Sequence, residues 1–471
     1  VAAFGLALAT HPRVALPAPA PVDPVTLQGI RDAAMTSDWG WQHLAALTDG
    51  IGPRLSGSPQ LAAAVTQLAG TMRTLGAQVT LQPVKVPHWV RGDEQGELVD
   101  YPDRPAGTTQ RLSLTALGSS AATLPGGLTA RIIVVHDFGE LEARSREVRG
   151  NIVLFESRFD RRLADGGFAL DAYVDVVKYR AAGPAAAAAL GAAAALIRSI
   201  SGASYRLPHT GNTVWKEKQT PIPAAALAAE DADLIERLAA AGPVTVKLLL
   251  TPRTLPDADS SNVIADWVGH EIPGEYVIVS GHLDSWDLAT GATDDGVGVI
   301  AAASVIAVLE KLGLHARRTI RFVGWTNEEN GGRGGRTYRD SVGKTLGTQV
   351  AAIENDEGAG PLLGIKAAVT RDSLSILQPV LDTLRPLGAA TLSHQEGEVG
   401  SDIELLQRVG VPGFAPLVDM RHYFDYHHSA ADTLDKVEPH NLRSQVAAMA
   451  VLAYYLAELP EQLPRFSISN E

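Results

Sequence analysis

The sequence contains no cysteine. That absence removes disulfides, thiol catalysis and thiolate metal sites together. An excess of positive charge is missing too: 40 Lys and Arg stand against 53 Asp and Glu, a net charge of −13. Nucleic-acid binding rests on clustered cations facing phosphate, so no nucleic-acid partner is expected. No apolar run reaches the ~18 residues that a helical membrane span needs, and no membrane span is expected. Several catalytic signatures are also lacking. There is no Gly-x-Ser-x-Gly elbow and no His-Glu-x-x-His. Gly331 to Thr337 (GGRGGRT) lacks the lysine and spacing of a P-loop. Gly296 to Ala301 (GVGVIA) fits the dinucleotide fingerprint loosely, but Asp294 and Asp295 precede it where a pyrophosphate would be repelled.

What is present describes a globular chain. At 471 residues, 45% apolar and 20% charged, it is too long for one ordinary core, so two domains are expected. Val1 to Ala9 (VAAFGLALA) is an apolar run ending in small residues, as a cleavable export signal does, although no basic segment precedes it. A Pro/Ala-rich spacer follows. Residues 1–22 are therefore read as a signal remnant and spacer, and the protein as periplasmic or secreted.

Helical spacing runs through Leu61, Val65, Leu68, Met72 and Leu75, with Gly76 as the stop, and Ala77 to Val86 alternates as a strand. From Pro105 the character changes. Short β-rich runs (Ala130 to Val135, Asn151 to Phe155, Val244 to Leu250) surround an alanine-rich helix expected from Pro184 to Leu196. Residues 107–254 are read as an insertion into a domain built from 23–106 and 255–471. From Ser260 strands and helices alternate: strands at Tyr276 to Ser280, Thr319 to Trp325, Val350 to Ile353 and Val411 to Leu417; helices at Val297 to Leu312, Leu374 to Arg385 and Leu442 to Leu459. This is an α/β pattern, a mixed, mostly parallel sheet with helices on both faces.

In open α/β sheets the working residues lie beyond the carboxyl ends of strands. Here each such end meets metal-competent residues: His282 and Asp284, Glu328 and Glu329, Asp356, and the pair His427-His428, while Asp294-Asp295 opens the helix at Val297. Each fragment alone reads as turn, cap or solvated surface chemistry. Together they converge on one rim. Histidine and carboxylate without cysteine suit a catalytic metal site. Two histidines and three carboxylates suffice for two ions about 3.5–4 Å apart sharing one carboxylate, with a further carboxylate as general base.

The segments GHLDSWDLATGATDDGVG, RTIRFVGWTNEENGG, IENDEGAG and YHHSAADTLDKV resemble the zinc aminopeptidase and carboxypeptidase family with co-catalytic metals, and IGPRLSGSP and PHTGNT extend the likeness over nearly the whole chain. The resemblance implies a zinc exopeptidase fold, two Zn2+ per chain, a peptide substrate and a homodimer. It implies His282 and Asp356 on one metal, Glu329 and His428 on the other, Asp294 bridging, Glu328 as base, and the Asp284 carboxylate orienting the ring of His282. The insertion resembles a protease-associated domain, which makes His209 a candidate substrate contact. Several relatives carry Tyr before the last metal-binding His; here His427 stands there, and Tyr423, Tyr426 or His427 is left as the oxyanion donor. The expected reaction is hydrolysis of dipeptides or short peptides with free termini. An aminopeptidase on longer peptides, a single-zinc glutaminyl cyclase and a non-enzymatic receptor-like ectodomain are the competing expectations.

Overall fold

Alternation builds the central sheet. In the strand Ile272–His282, Val277 and Val279 face one core and Ile278 faces another; in Arg318–Trp325, Ile320 and Phe322 oppose Val323 and Trp325 in the same way. Both faces are therefore covered. Helices Pro24–Met35, Trp39–Thr48, Pro59–Thr74, Val297–Leu312 and Pro439–Glu458 pack on the first face, and Arg333–Ser341 and Glu404–Gln407 on the second. The computed structural model describes residues 22–466 and 468. The signal remnant and its spacer, Val22 apart, lie outside them.

This sheet has eight strands in the order Gln78–Val90, Arg253–Trp267, Arg318–Trp325, Ile272–His282, Gln349–Glu354, Gly413–Val418, Leu362–Ala368, Thr391–His394. The four from Arg318–Trp325 to Gly413–Val418 run parallel, so their carboxyl ends share one rim. Antiparallel strands flank them on either side. The fold is thus the mixed α/β arrangement expected.

Helix Val297–Leu312 is buried at 13 of its 16 positions. Ala292–Leu312 has the length and hydropathy of a membrane span, but its apolar 18-residue stretch is buried throughout, so core packing accounts for its composition. Its first turn comes very near the rim. A Cβ on Gly298 would lie 1.8 Å from the Asn355 carbonyl oxygen, and one on Gly281 would lie 2.5 Å from the Val299 nitrogen. Only glycine permits that approach.

A second eight-stranded sheet runs in the order Gln110–Leu112, Glu94–Asp100, Thr245–Leu250, Leu128–Val135, Ile152–Phe155, Ala194–Arg198, Ala224–Leu227, Leu114–Ala116. Its opposite edges, Gln110–Leu112 and Leu114–Ala116, are separated in the chain by Ser113 alone, so the sheet is curled until its edges approach. Two expectations are corrected here. Glu94–Asp100 pairs with Thr245–Leu250, so residues from 94 go with the inserted unit and not, as the 107 boundary had it, with the catalytic one; only Gly96 and Leu98 of that strand are buried, too few to show alternation. The alanine-rich helix spans Ala169–Ala189 rather than 184–196, and Ala194–Arg198 is a buried parallel strand. Alanine favours helix locally, but Gly191, with φ +85°, breaks it, and a sheet position with both faces covered then takes the small side chains. The insertion leaves and rejoins the first sheet at facing residues, Val90 opposite Arg253.

Adding one methyl at two glycines should have opposite effects. Gly298→Ala is expected to destabilise by roughly 1–3 kcal/mol or more through overpacking. Gly70→Ala, in an exposed helical position with nothing within 4 Å of the new Cβ, should stabilise by about 1 kcal/mol. Urea unfolding midpoints compare them; an unchanged Gly298→Ala protein would contradict the close approach.

Candidate metal centre

The strand Ile272–His282 ends on a histidine whose Nδ1 lies 2.9 Å from the main-chain oxygen of Asp284. That bond turns Nε2 toward the rim, 3.1 Å from Asp294 Oδ1 and 3.5 Å from Asp356 Oδ1. Across the same carboxylate, Asp294 Oδ2 lies 3.0 Å from His428 Nε2, which is 3.1 Å from Glu329 Oε2. Asp294 therefore presents one oxygen to each imidazole, and its Oδ2 is buried without a hydrogen-bond partner. Two donors held tetrahedrally at bonds of 2.0–2.1 Å would stand about 3.3 Å apart. The four spacings fit a metal between each pair.

Asp295 does something different. Its oxygens accept the His282 and Gly298 amides, each at 3.0 Å, which ties the strand end to the helix start and leaves Asp294 to face the cluster. Asp432 accepts the Thr293 amide and hydroxyl at 2.8 Å and the Asp294 amide at 3.2 Å, fixing the backbone that aims Asp294. Beneath this loop, buried Arg54 donates to the main-chain oxygens of Gly52, Leu283, Thr290 and Gly291. Burial pushes its pKa down to about 10.

Charge explains what the cluster lacks. Burial, with further push from neighbouring carboxylates, raises Glu328 to about 8 and Glu329 to about 7. Burial opposes protonation of His428, yet Glu329 and Asp294 carry its pKa up to about 10. Carboxylates crowded out of water in this way are relieved by a cation. A separate acidic trio, Glu156, Asp233 and Glu236, is already neutralised by Arg198 and Arg158.

The sequence-derived residues meet as a group: His282, Asp294, Glu328, Glu329, Asp356, His427 and His428 surround one rim, and a cavity of about 390 Å³ opens onto all of them except His282. Glu328 carries no hydrogen bond or ion pair on its carboxylate among the described residues, while its amide donates to Asp284 Oδ1 at 3.0 Å. His428 lies within reach of two carboxylates; His427 reaches only Asp294, at 3.4 Å, and stacks on His428.

Three expectations change. The ring of His282 is oriented by the Asp284 main-chain oxygen; the carboxylate is 3.9 Å away and serves the Glu328 amide and Ser56 hydroxyl instead. His209 does not line the cavity. It is buried, with Nδ1 2.6 Å from the His427 carbonyl oxygen, because the segment carrying it passes behind the histidine pair. Tyr426 is likewise absent from the cavity wall, leaving Tyr423 and His427 on it. Residues missed in the sequence include, from the first unit, Glu354, Glu357, Lys366 and Glu398, and from the inserted unit Leu170, Tyr173, Val174 and Arg180 on the helix Ala169–Ala189, and Asn212. No local signal marks those on the helix, since an alanine-rich helix shows its composition more plainly than its one buried arginine.

A rim of parallel strands with two imidazoles and two carboxylates around a third, shared carboxylate defines a metallohydrolase centre. The profile of peptidase family M28 matches residues 262–453. The chain is 36% identical to carboxypeptidase Q of Homo sapiens over 428 residues, 90% of this chain and 86% of that one. The crystal structure of a peptidase M28 precursor from Shewanella amazonensis matches with a TM-score of 0.88 and 34% identity, covering 95% of this chain and 99% of that one. A zinc aminopeptidase from Bacillus subtilis shares the fold at a TM-score of 0.62 and 20% identity, over 90% of this chain and 98% of that one. The chain belongs to peptidase family M28 and is a metallo-exopeptidase.

Burial pushes His209 down to about 4, below the 6.5 of an exposed imidazole. The unfolded chain then binds a proton that the folded one refuses. Stability present above pH 6.5 is lost as pH falls toward 4, by about 2 kcal/mol at pH 5. His209→Asn should lack this component, so its urea midpoint should fall less between pH 7.5 and pH 5 than that of the parent. Equal falls would contradict a neutral buried His209.

Proposed function

We propose that this protein is a two-zinc exopeptidase that hydrolyses dipeptides or short peptides with free termini, with Glu328 as general base. The observation that carries the reading is the Asp294 carboxylate, one oxygen 3.1 Å from His282 and the other 3.0 Å from His428. His282, Asp294 and Asp356 would hold one ion, and Asp294, Glu329 and His428 the other. When bound, such a pair lowers the pKa of water and polarises a carbonyl.

The chain's own groups supply the rest. Glu328 accepts a proton from the attacking water and delivers it to the nitrogen of the leaving amine, so the proton gained in the first half of the reaction is returned in the second. Its unpaired carboxylate, on the cavity wall, leaves it free for that role. Tyr423 and His427 flank the same space as donors to the developing oxyanion. Burial raises the Tyr423 pKa and keeps the hydroxyl protonated. Burial also keeps His427 neutral, its pKa well below the ordinary imidazole value.

The preference for short substrates rests on the roof. The helix Ala169–Ala189 of the inserted unit brings Leu170, Tyr173, Val174 and Arg180 over the cavity. Arg180 is 8% exposed, makes no ion pair among the described residues, and has a buried Nε without a partner. A buried guanidinium without a counter-ion is costly, and the carboxylate of a free C-terminus would complete it. The inserted unit is read as a protease-associated domain and the protein as an exported, periplasmic or secreted homodimer. Export is supported by the similar Shewanella amazonensis structure, which is of a precursor.

Glu328→Gln should keep its zinc, counted by atomic absorption, while dipeptide turnover falls by about 10³ or more. Near-parental turnover would remove Glu328 as the base. In the parent, C-terminally amidated dipeptides should be poorer substrates than free ones. Turnover of long peptides without turnover of dipeptides would favour an aminopeptidase instead.

A further inference from the structure

The two imidazoles that face Asp294 are held by different parts of the molecule. His282 Nδ1 bonds to the main chain two residues further on, inside the catalytic unit. The corresponding atom of His428 lies 3.2 Å from the main-chain oxygen of Thr210, which belongs to the inserted unit. An imidazole that offers its Nε2 lone pair to a metal must carry its proton on Nδ1, and an acceptor placed there fixes both tautomer and ring plane. For His428 that acceptor is supplied by the insertion, which also brings Arg180 Nη1 to 3.3 Å from the same nitrogen while Nη1 itself lies 3.3 Å from the Thr210 oxygen.

The contact continues along successive residues. The Gly202 amide donates to the Phe424 carbonyl at 3.0 Å, and Arg161 pairs with Asp425 at 2.6 Å. His209 Nδ1 donates to the His427 carbonyl at 2.6 Å, and the Thr210 amide to the His428 carbonyl at 2.8 Å. His428 itself has φ +58°, a left-handed backbone uncommon for a residue with a Cβ, and here the segment of the insertion bonded to it holds it in place. That segment is well anchored: the His209 amide bonds to the Ser199 hydroxyl at 2.9 Å, the Thr210 hydroxyl to the Ala116 carbonyl at 2.9 Å, and the Gly211 carbonyl accepts the Gly118 amide at 2.9 Å.

We propose that residues 208–211 of the inserted unit are a positioning element for His428, so that the metal half-site of His428 and Glu329 is completed by docking of the insertion, whereas the half-site of His282 and Asp356 is assembled without it. This inference rests on the two-metal reading above. His209 is a positioning residue: it holds the His427 carbonyl and, through it, the backbone of its neighbour. The two zinc affinities of the chain are therefore separable by substitutions in the insertion.

The test is a calorimetric zinc titration of the full-length, metal-stripped protein. The parent is expected to show two steps. His209→Ala should weaken one step by about 10–100-fold and leave the other within about twofold. His209→Asn, whose amide nitrogen occupies the place of Nδ1, should recover most of the loss, which a general packing defect would not allow. Two steps that both survive intact in His209→Ala, or that fall together, overturn the inference alone. A single step in the parent overturns the two-metal reading and this inference with it. Should His209→Ala fail to fold, Thr210→Ala, which removes the hydroxyl's bonds to the Ala116 carbonyl and the Arg91 guanidinium, carries the same selective expectation and the same refutation.

Discussion

The carboxylate of Asp295 joins two backbones, accepting one amide from the end of a central strand and one from the first turn of the most buried helix. The site depends on that tie. Because Gly281 and Gly298 have no side chains, the helix comes close enough for one carboxylate to reach both amides. The residue before it, Asp294, is then turned toward the rim, where His282 has just left the sheet. Two adjacent aspartates thus take different tasks, one tying backbones and the other facing the histidines, and the four spacings of 3.0–3.5 Å follow from where that turn is fixed.

Around the turn, the protein concentrates negative charge and excludes water. Glu328, Glu329, Glu354 and Asp356 are all raised by burial and by neighbouring carboxylates, Asp294 acting on Glu328, Glu329 and Asp356. Each could have been relieved by a nearby Lys or Arg, as Glu156 is by Arg198. The cations present are spent elsewhere: Arg54 on main-chain oxygens beneath the loop, Arg180 on Tyr173, Thr210 and His428 Nδ1 above it, and Lys366 on Glu357. That distribution distinguishes a metal cluster from an ordinary ion-pair network, although both contain the same residue types.

Much of this was legible in the sequence because it is local. The central strands are largely apolar, and each is followed within a few residues by metal-competent side chains, so His282, Glu329 and Asp356 could be assigned to one rim before their distances were known. The strand Arg253–Trp267 was not anticipated, since its first half is polar and carries Pro256. The site residues that escaped are those whose meaning is non-local. Arg180 sits among alanines and reaches the cavity only because the insertion folds over it. His209 was expected to touch substrate and instead lies behind the histidines, since spacing says nothing about which side of a segment faces the solvent. For Asp284 the atom was mistaken, main-chain oxygen for carboxylate, a difference that residue identity cannot carry.

The pairing of Val90 with Arg253 is followed, on the other side of the junction, by that of Glu94 with Leu250. The inserted unit therefore has its own two ends zipped together. Closing a loop of some 160 residues would cost a disordered chain roughly 4–5 kcal/mol of entropy before the strands Gln78–Val90 and Arg253–Trp267 could meet. Once the insertion is folded, that search is already over, and those strands are presented to each other as the arms of a hairpin are by its turn. In folding terms the whole second unit is one very large β-turn, and it sets the register of the adjoining strand pair as far as the bulge between Val86 and His88.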